Sequence, residues 1–287
     1  MFSIPNLLTS GNLISGILSI IFSFSGRIEM AVLFIIIGCL FDFMDGFSAR
    51  LLKKQSPLGV QLDSLADMVT FGVAPGILMF IMLIISGSLT SFKLSGKDLN
   101  DFWVEGTFGM NIEYWITIYF NDLVANTNSN GQVFKGINLF YPFIGLLIPF
   151  MSMFRLAKFN LDERQTNHFL GLPTPANAIF FSSFAVVLWD GFDANDWRLN
   201  LSLNLLSFQV IIFCIILFSL LLISEIKLLS LKFKNFSIRD NLARYVLTII
   251  AVVLTIVLKY WSIAPIILSY IFLSIINNLI SKKSSND

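Results

Sequence analysis

Charged residues are scarce in this chain of 287 residues. They make up 13% of the composition, whereas a water-soluble domain carries about 25%. Hydrophobic residues reach 56% and include 30 phenylalanines, which is typical of a surface that faces lipid acyl chains. The formal net charge is only +1, which argues against nucleic acid as a partner. The composition therefore predicts an integral membrane protein.

Cysteine and histidine, the residues of disulfides and zinc sites, are almost absent. Cys39 and Cys214 lie far apart in separate apolar runs, which favours two buried apolar side chains over a disulfide or a metal pair. His168 is the single histidine, and no partner motif surrounds it, so we expect a solvated loop side chain. The N-terminus lacks a basic segment and a small-residue cleavage site, which predicts a retained first helix rather than a signal peptide.

Eight apolar stretches approach the length of a membrane-spanning helix, which needs about 20 mostly apolar residues. They run near residues 4–24, 30–52, 69–90, 137–157, 174–192, 206–227, 242–259 and 262–280. Only a few residues around Tyr260 and Trp261 separate the last two, which predicts a tight helical hairpin with aromatic anchors. No heptad, solenoid repeat or low-complexity tract is present, so we expect an all-α integral membrane protein with one domain, residues 1–287.

Lysine and arginine are distributed unevenly among the predicted connections. With the N-terminus in the cytoplasm, about two thirds of the 19 basic residues fall on the cytoplasmic side, where such residues concentrate in membrane proteins. This predicts an even number of spans in the cytoplasmic (inner) membrane, with both termini cytoplasmic. The polar residues 92–136 would form an external loop or small cap, in which a short amphipathic helix near 112–120 is one arrangement.

Four aspartates stand at helical spacing around the predicted turn between the second and third spans. The stretch from Asp42 to Asp67 reads DFMDGFSARLLKKQSPLGVQLDSLAD. Asp42 and Asp45 end the second span, Asp63 and Asp67 open the third, and Pro57 marks the turn. Residues three or four apart share a helix face, and helices joined by a short turn are normally antiparallel neighbours. We therefore expect the four carboxylates to converge on one small volume.

Such a group of acids is unfavourable in a membrane unless positive charge fills it. One aspartate inside a spanning helix costs about 2.5–3.5 kcal/mol on insertion scales, so four approach about 10 kcal/mol. Divalent cations offset this cost and the mutual repulsion, and all-oxygen ligands suit Mg²⁺ or Mn²⁺. The pattern predicts two such ions with open positions for a phosphate-bearing substrate. A structural ion-pair network with Arg50 is the alternative, but it explains only one or two of the acids.

Small and basic residues beside the aspartates fit a diphosphate. Gly46 and Ala49 remove side-chain bulk one turn apart, which leaves room against the helix. Arg50 supplies a forked cation that suits phosphate oxygens. Gly59 permits close backbone approach where the third span begins, and free amide groups and the helix dipole favour anions there.

The string D-x2-D-G-x2-A-R-x8-G-x3-D-x3-D, present here without a departure, resembles the signature of the CDP-alcohol phosphatidyltransferases. The resemblance implies an enzyme that binds a CDP-linked lipid at two divalent metal ions on the cytoplasmic side of the membrane. A hydroxyl of a small acceptor would attack the lipid-side phosphorus and expel CMP. Asp42, Asp45 and Asp63 would be metal ligands, and Asp67 both a ligand and the general base. The resemblance also implies a homodimer.

The same resemblance implies the nucleotide contacts. Gly46, Ala49 and Arg50 would touch the nucleotide diphosphate. Asn6 and Thr9 lie at the start of the first span, where helix capping and a contact with the nucleotide are both open interpretations.

Four short segments resemble the phosphatidylserine synthase branch of that family. They are IPNLLT from Ile4, DSLADMVTFGVAP from Asp63, RLAKFN from Arg155 and GLPTPA from Gly171. The branch implies CDP-diacylglycerol as donor and L-serine as acceptor. Serine presents a carboxylate, which Arg155 and Asn160 would bind, with Lys158 helping by its charge. Positive-inside anchoring is the alternative role for Arg155 and Lys158.

Two other functions remain open on the sequence. The first is the same reaction type with glycerol phosphate, inositol phosphate or choline as acceptor. A phosphorylated acceptor should demand more basic residues than Arg50, Lys53 and Lys54 near the aspartates. The second is a cation transporter, which the placement of all four acids on one membrane side disfavours. For the enzyme, we expect catalytic helices within residues 1–190, including the external loop insertion, and accessory helices within 206–280.

Overall fold

The computed structural model of the chain describes residues 3–94, 108–125, 139–162, 169–191, 197–229 and 237–284. His168 and most of the predicted external loop lie outside these ranges. Within them the protein is all-α apart from one pair of two-residue strands.

Eleven α-helices occupy the described part of the chain. They are α1 (Ile4–Phe24), α2 (Ile28–Leu51), α3 (Pro57–Asp67), α4 (Ala74–Leu94), α5 (Phe108–Ala125), α6 (Leu147–Leu161), α7 (Thr174–Gly191), α8 (Trp197–Leu205), α9 (Phe208–Ile223), α10 (Ile238–Leu258) and α11 (Ile263–Ser284). A π-helical segment, Met68–Val73, joins α3 to α4, and 3-10 turns precede α6 (Tyr141–Leu146) and α11 (Lys259–Ser262). The strands β1 (Phe169–Leu170) and β2 (Lys227–Leu228) pair antiparallel.

Local sequence explains where α1 and α3 begin. Ser3 caps α1, because its Oγ accepts a 3.4 Å hydrogen bond from the amide of Asn6. Ser56 caps α3 in the same way and accepts a 3.0 Å hydrogen bond from the amide of Gly59. A proline follows each cap within the first turn, where a helix needs no backbone donor.

Five helical segments of the described residues are long and apolar enough to cross a membrane. They are Ile4–Phe24, Ile28–Leu51, Pro57–Thr90, Tyr141–Leu161 and Asn241–Leu279. A sixth arises if α8 and α9, which meet at a 60° bend, form one span. The chain is therefore an all-α membrane protein with five or six candidate spans, where the hydropathy predicted eight.

Two features explain why the structure has fewer candidate spans than the eight that hydropathy predicted. The apolar part of α7, Thr174–Trp189, falls short of the length that a full span needs. The other feature is the pair of spans at the C-terminus, where only the 3-10 turn Lys259–Ser262 separates α10 from α11, so that they form one segment in this number. The two helices contact each other, as the predicted hairpin requires. Lys259 has a φ of 50°, so the helical backbone is interrupted there without a connecting loop.

The third span begins earlier than hydropathy predicted. The apolar run starts at residue 69, but the helix starts at Pro57 and continues into α4 through the π-helical segment. Polar residues such as Asp63 and Asp67 lower the hydropathy of this first part without interrupting the helix.

The first helix connects the two helices that carry the aspartates. It packs along α2 and also against α3 and the π-helical segment, whereas α2 and α3 make few contacts with each other. Its buried face contains small or polar side chains such as Thr9, Asn12, Ser15 and Ser19, and small residues allow helices to approach closely in membranes. The helices α2 and α3 thus meet mainly through their aspartate side chains, and α1 packs against both helices.

Thr70 holds the π-helical segment against α1 and α2. It is fully buried, and its Oγ1 donates a 2.8 Å hydrogen bond to the backbone carbonyl of Asn12. A Cβ atom at Gly16 would lie 2.5 Å from Thr70 Oγ1 and 2.8 Å from Thr70 Cα. A Cβ atom at Gly38 would collide with the methyl group of Thr70. Glycine at both positions therefore lets the three segments meet.

The hydrophobic core is built around α4. All eight residues from Leu78 to Ile85 are buried, and α4 contacts α1, α5, α6, α7 and α9. Phe180 of α7 stacks on Phe218 of α9 with ring centroids 3.7 Å apart. Because α4 continues from α3, this core fixes the helix whose other end carries Asp63 and Asp67.

We expect Gly16→Ala to lower the melting temperature of the detergent-solubilised protein. The new methyl group would meet the backbone of Thr70, which no side-chain rotation relieves, and overpacking costs about 1–3 kcal/mol. Gly46→Ala is the matched control, because a Cβ atom there has no neighbour within 4 Å. Its melting temperature should match that of the wild type, and an equal fall for both variants would contradict the packing described.

Candidate functional site

Three of the four motif aspartates come together between α2 and α3. One carboxylate oxygen from each of Asp42, Asp63 and Asp67 lies within 4.8 Å of the other two. Asp42 lies in the second half of α2, and the other two stand one turn apart on α3. We call these three residues the aspartate cluster.

Asp45 lies outside the aspartate cluster. It is one turn beyond Asp42 on α2, and its side chain is buried. Its Oδ2 accepts a 2.5 Å hydrogen bond from Oγ1 of Thr9 on α1. The fourth aspartate is thus held toward α1, beside the cluster.

The donor atoms of the aspartate cluster suit a divalent cation. Oδ1 of Asp63 is buried and has no hydrogen-bond partner among the described residues. A buried carboxylate oxygen without a donor or a cation is unfavourable. Carboxylate oxygens are the hard ligands that Mg²⁺ and Mn²⁺ prefer. The residues present therefore fit the kind of ion that the sequence predicted.

A cavity of about 610 Å³ opens beside the aspartate cluster, between α1, α2 and the start of α3. Its volume lies in the range of small-molecule sites, about 300–1,000 Å³. The lining includes all six residues predicted to contact the nucleotide, Asn6, Thr9, Gly46, Ala49, Arg50 and Gly59. Asp45 and Asp63 line it as well, so Asp63 belongs to both the cavity and the aspartate cluster.

Charge is divided between the two ends of this cavity. Arg50 and Lys54 line it with exposed side chains, whereas Asp45 is buried. A ligand with a diphosphate would therefore meet cations on the solvent side and carboxylates on the inner side. Sequence reasoning gave Lys54 no contact of its own and missed Gln55, which also lines the cavity. Both stand in the turn after α2, whose path the sequence does not determine.

Two predicted roles at the helix starts need correction. The helix-capping interpretation of Asn6 and Thr9 is wrong, because Ser3 caps α1. The amide of Gly59 is not free for an anion, since it donates to Ser56. A Cβ atom at Gly59 would lie 3.2 Å from Oγ of Ser56, so a side chain there would crowd the residue that caps α3.

Arg155 is the most buried of the residues predicted to bind the acceptor. Its exposed fraction is 7%, and its Nε donates a 3.2 Å hydrogen bond to the carbonyl of Leu172. The guanidinium lies 4.8 Å from the ring centroid of Phe159, a cation–π distance. It also interacts electrostatically with Asp67, so a buried cation stands on the Asp67 side of the cluster.

The other two predicted acceptor residues are exposed and have partners outside the cluster. Lys158 forms a 3.1 Å ion pair with Glu225, at the end of α9. Asn160 Nδ2 donates a 2.8 Å hydrogen bond to Oγ of Ser64 on α3. The structure thus separates buried Arg155 from the two exposed side chains.

Asn12 is the site residue that sequence reasoning missed. It is fully buried in α1, and its Nδ2 donates a 3.0 Å hydrogen bond to Oδ1 of Asp67. The signal that could have found it is an amide in the middle of an apolar span, since polar residues inside membrane helices usually pair with other polar groups.

Comparison with known proteins assigns this chain to the membrane-bound transferases of phospholipid biosynthesis. The profile of the CDP-alcohol phosphatidyltransferase family matches residues 2–98. The CDP-diacylglycerol–serine O-phosphatidyltransferase of Bacillus subtilis is 31% identical over 176 residues, which cover 60% of this chain and 69% of that protein. The Helicobacter pylori (strain 26695) protein of the same name is 28% identical over 217 residues, covering 72% and 80%. The archaetidylserine synthase of Methanothermobacter thermautotrophicus is 28% identical over 184 residues, covering 63% and 57%.

The chain therefore belongs to the CDP-alcohol phosphatidyltransferase family. This confirms the resemblance found in the sequence.

Proposed function

We propose that the protein transfers the phosphatidyl group of CDP-diacylglycerol to the hydroxyl of L-serine, giving phosphatidylserine and CMP. The observation that carries the proposal is that Asp63 lies both in a cavity of nucleotide size and in the aspartate cluster. The names of several relatives include serine, which supports the choice of acceptor.

The cavity is the binding site for the CDP part of the donor. Arg50 faces the diphosphate from the exposed side, and Gly46 leaves space against α2 because nothing lies within 4 Å of its missing side chain. Asn6, Ala49 and Gly59 complete the contact surface. The acyl chains would then extend into the membrane while the scissile phosphate stays next to Asp63.

The four motif aspartates hold two divalent cations, Mg²⁺ or Mn²⁺. Asp42, Asp63 and Asp67 supply the aspartate cluster, and Asp45 supplies a carboxylate at the adjoining cavity wall. When bound, such ions offset negative charge on the phosphoryl oxygens and on the departing CMP.

Asp67 is the general base. Its Oδ1 accepts the hydrogen bond from Asn12, which leaves Oδ2 for the proton of the serine hydroxyl. The serine oxygen forms a bond to the lipid-side phosphorus, the bond from that phosphorus to CMP breaks, and the proton goes to Asp67. Removal of a proton by a positioned carboxylate contributes about 10²–10⁴ in rate.

Arg155 binds the carboxylate of serine. The hydrogen bond to Leu172 and the ring of Phe159 fix its guanidinium on the side of Asp67. This arrangement would place the serine hydroxyl near the base. Asn160 lies at the edge of this region through its bond to Ser64, and Lys158 contributes by its charge.

The membrane arrangement that we propose has eight spans in the cytoplasmic (inner) membrane, with both termini and the site on the cytoplasmic side. The contacts of α11 support two spans after α9. Tyr260 meets Trp189 at the far end of α7, with ring centroids 6.2 Å apart. Tyr270 and Ser274 instead hydrogen-bond Leu229, which follows β2. The helix α11 therefore returns along α7, and α10 is a separate crossing.

Two further proposals concern assembly and domain organisation. We propose a homodimer, which the family resemblance implies. We also propose that the helices form a single domain, because the sequence contains no repeat. The catalytic helices would then be α1 to α7, with α8 to α11 added after them.

The purified protein with CDP-diacylglycerol and Mn²⁺ should release CMP when L-serine is added. Glycerol phosphate and inositol phosphate should give only the background rate, because the only cations that line the cavity among the described residues are Arg50 and Lys54. Choline should also give the background rate, because it has no carboxylate for Arg155. Chelation of the metal should stop the release. Release with one of the other acceptors instead would refute the choice of serine, and no release with any acceptor would refute the transferase assignment of this chain.

Asp67→Asn should lower kcat by about 10²–10⁴, since the amide cannot accept the serine proton. The assay is phosphatidylserine formation at saturating Mn²⁺, so that a weaker metal site does not account for the loss. Glu113→Gln, a change of the same type at an exposed position on α5, should leave the rate unchanged. Full headgroup transfer by the Asp67 variant would rule out the base role.

Arg155→Lys should raise the KM for serine by about 10-fold or more, because a charged hydrogen bond is worth about 1.5–3 kcal/mol. The KM for CDP-diacylglycerol should stay close to the wild-type value. Arg27→Lys is the control, since Arg27 lies exposed beside Glu29 at the start of α2. Equal changes in the KM of both substrates would argue against a carboxylate contact by Arg155.

A further inference from the structure

The amide of Asn12 connects α1 directly to the proposed base. Asn12 has no exposed surface, and its Nδ2 lies 3.0 Å from Oδ1 of Asp67. The two residues are 55 positions apart, so this bond depends on the tertiary fold. It occupies one of the two carboxylate oxygens of Asp67.

The backbone of Asn12 is fixed by a second bond to the same turn. Thr70 Oγ1 donates to the carbonyl of Asn12 at 2.8 Å, and Thr70 stands three residues after Asp67, in the π-helical segment. One residue of α1 therefore binds both ends of the turn that begins at the base. The contacts of Gly16 and Gly38 with Thr70 hold this turn at a distance that no larger residue would permit.

The helix α1 also donates a hydrogen bond to a second carboxylate. Thr9, three residues before Asn12 and on the same face of α1, donates to Asp45 Oδ2 at 2.5 Å. Asp45 belongs to α2 and Asp67 to α3, and these helices make few contacts with each other. The helix α1 thus orients the side chains of Asp45 on α2 and Asp67 on α3, which the few contacts between α2 and α3 could not orient.

Stability alone does not explain Asn12. Its Oδ1 is buried without a hydrogen-bond partner among the described residues, and an unmet buried acceptor is unfavourable. A fully apolar side chain would avoid that cost but would not donate to Asp67. The contribution of this side chain is therefore the hydrogen bond that its Nδ2 donates to Asp67.

We infer that Asn12 is a positioning residue, which holds Asp67 with one oxygen directed at the metal and acceptor side, and that Thr70 fixes Asn12 in this role. The inference rests on the proposed function of Asp67. Neighbours that orient a metal-binding carboxylate typically change metal affinity or activity about 10- to 100-fold when they are removed.

The test compares Mn²⁺ binding by the full-length protein in detergent, read from the electron paramagnetic resonance signal of free Mn²⁺, with serine kinetics. Asn12→Ala should weaken Mn²⁺ binding about 10-fold or more and lower kcat, while the KM for serine changes little. Thr70→Val keeps the side-chain shape without the hydroxyl and should weaken both in the same direction. Thr70→Ser restores the hydroxyl and should recover wild-type binding.

Ser19→Ala is the matched control on the same helix. Ser19 is fully buried and its Oγ has no hydrogen-bond partner among the described residues, so its removal should leave Mn²⁺ binding and kcat unchanged. If Asn12→Ala does not fold, the comparison of Thr70→Val with Thr70→Ser decides the question. Variants that lose melting temperature but bind Mn²⁺ like the wild type would overturn the positioning role.

The inference and the proposed function fail in different ways. A wild-type protein that binds Mn²⁺ but releases no CMP with serine would remove the acceptor assignment, and the effect of Asn12→Ala on Mn²⁺ binding would still be measured. A wild-type protein that binds no Mn²⁺ would overturn the inference itself.

Discussion

The constraint on which this structure depends is the placement of several carboxylates, which repel one another, at fixed positions inside an apolar bundle. Contacts between α2 and α3 do not fix these positions, because the two helices make few contacts with each other. The helix α1 fixes them instead, since Thr9 donates a hydrogen bond to Asp45 and Asn12 donates one to Asp67. The small and polar residues on the buried face of α1 let it lie close enough to do so.

Separation of α2 from α3 also creates the space in which a ligand can lie. If these helices packed together, the cavity between Gly46 and Gly59 would be closed. The position of α3 is set from its other end, because α3 continues through the π-helical segment into the buried helix α4. An open site at one end and a packed core at the other therefore belong to one continuous helix.

The chemistry of the site was easier to predict from the sequence than its geometry. Spacing alone indicated the aspartates, because positions on a regular helix follow from the sequence. The six predicted nucleotide contacts, most of which the family resemblance implied, line one cavity. The orientation of Asp45 could not be predicted, since it depends on a hydroxyl 36 residues away. Hydropathy likewise missed the start of the third span at Pro57, because it measures polarity rather than helix continuity.

The C-terminal half of the chain supports the site through Leu172, the second residue after the short strand β1. Leu172 follows β1, and its amide donates a 3.0 Å hydrogen bond to the carbonyl of Leu221 in α9. The carbonyl of the same residue receives the hydrogen bond of Arg155. A protein shortened before α9 would keep all four motif aspartates but lose the hydrogen bond from Leu172 to Leu221, next to the residue that binds Arg155. The late helices therefore contribute to the site indirectly, through the residue that accepts the hydrogen bond of Arg155.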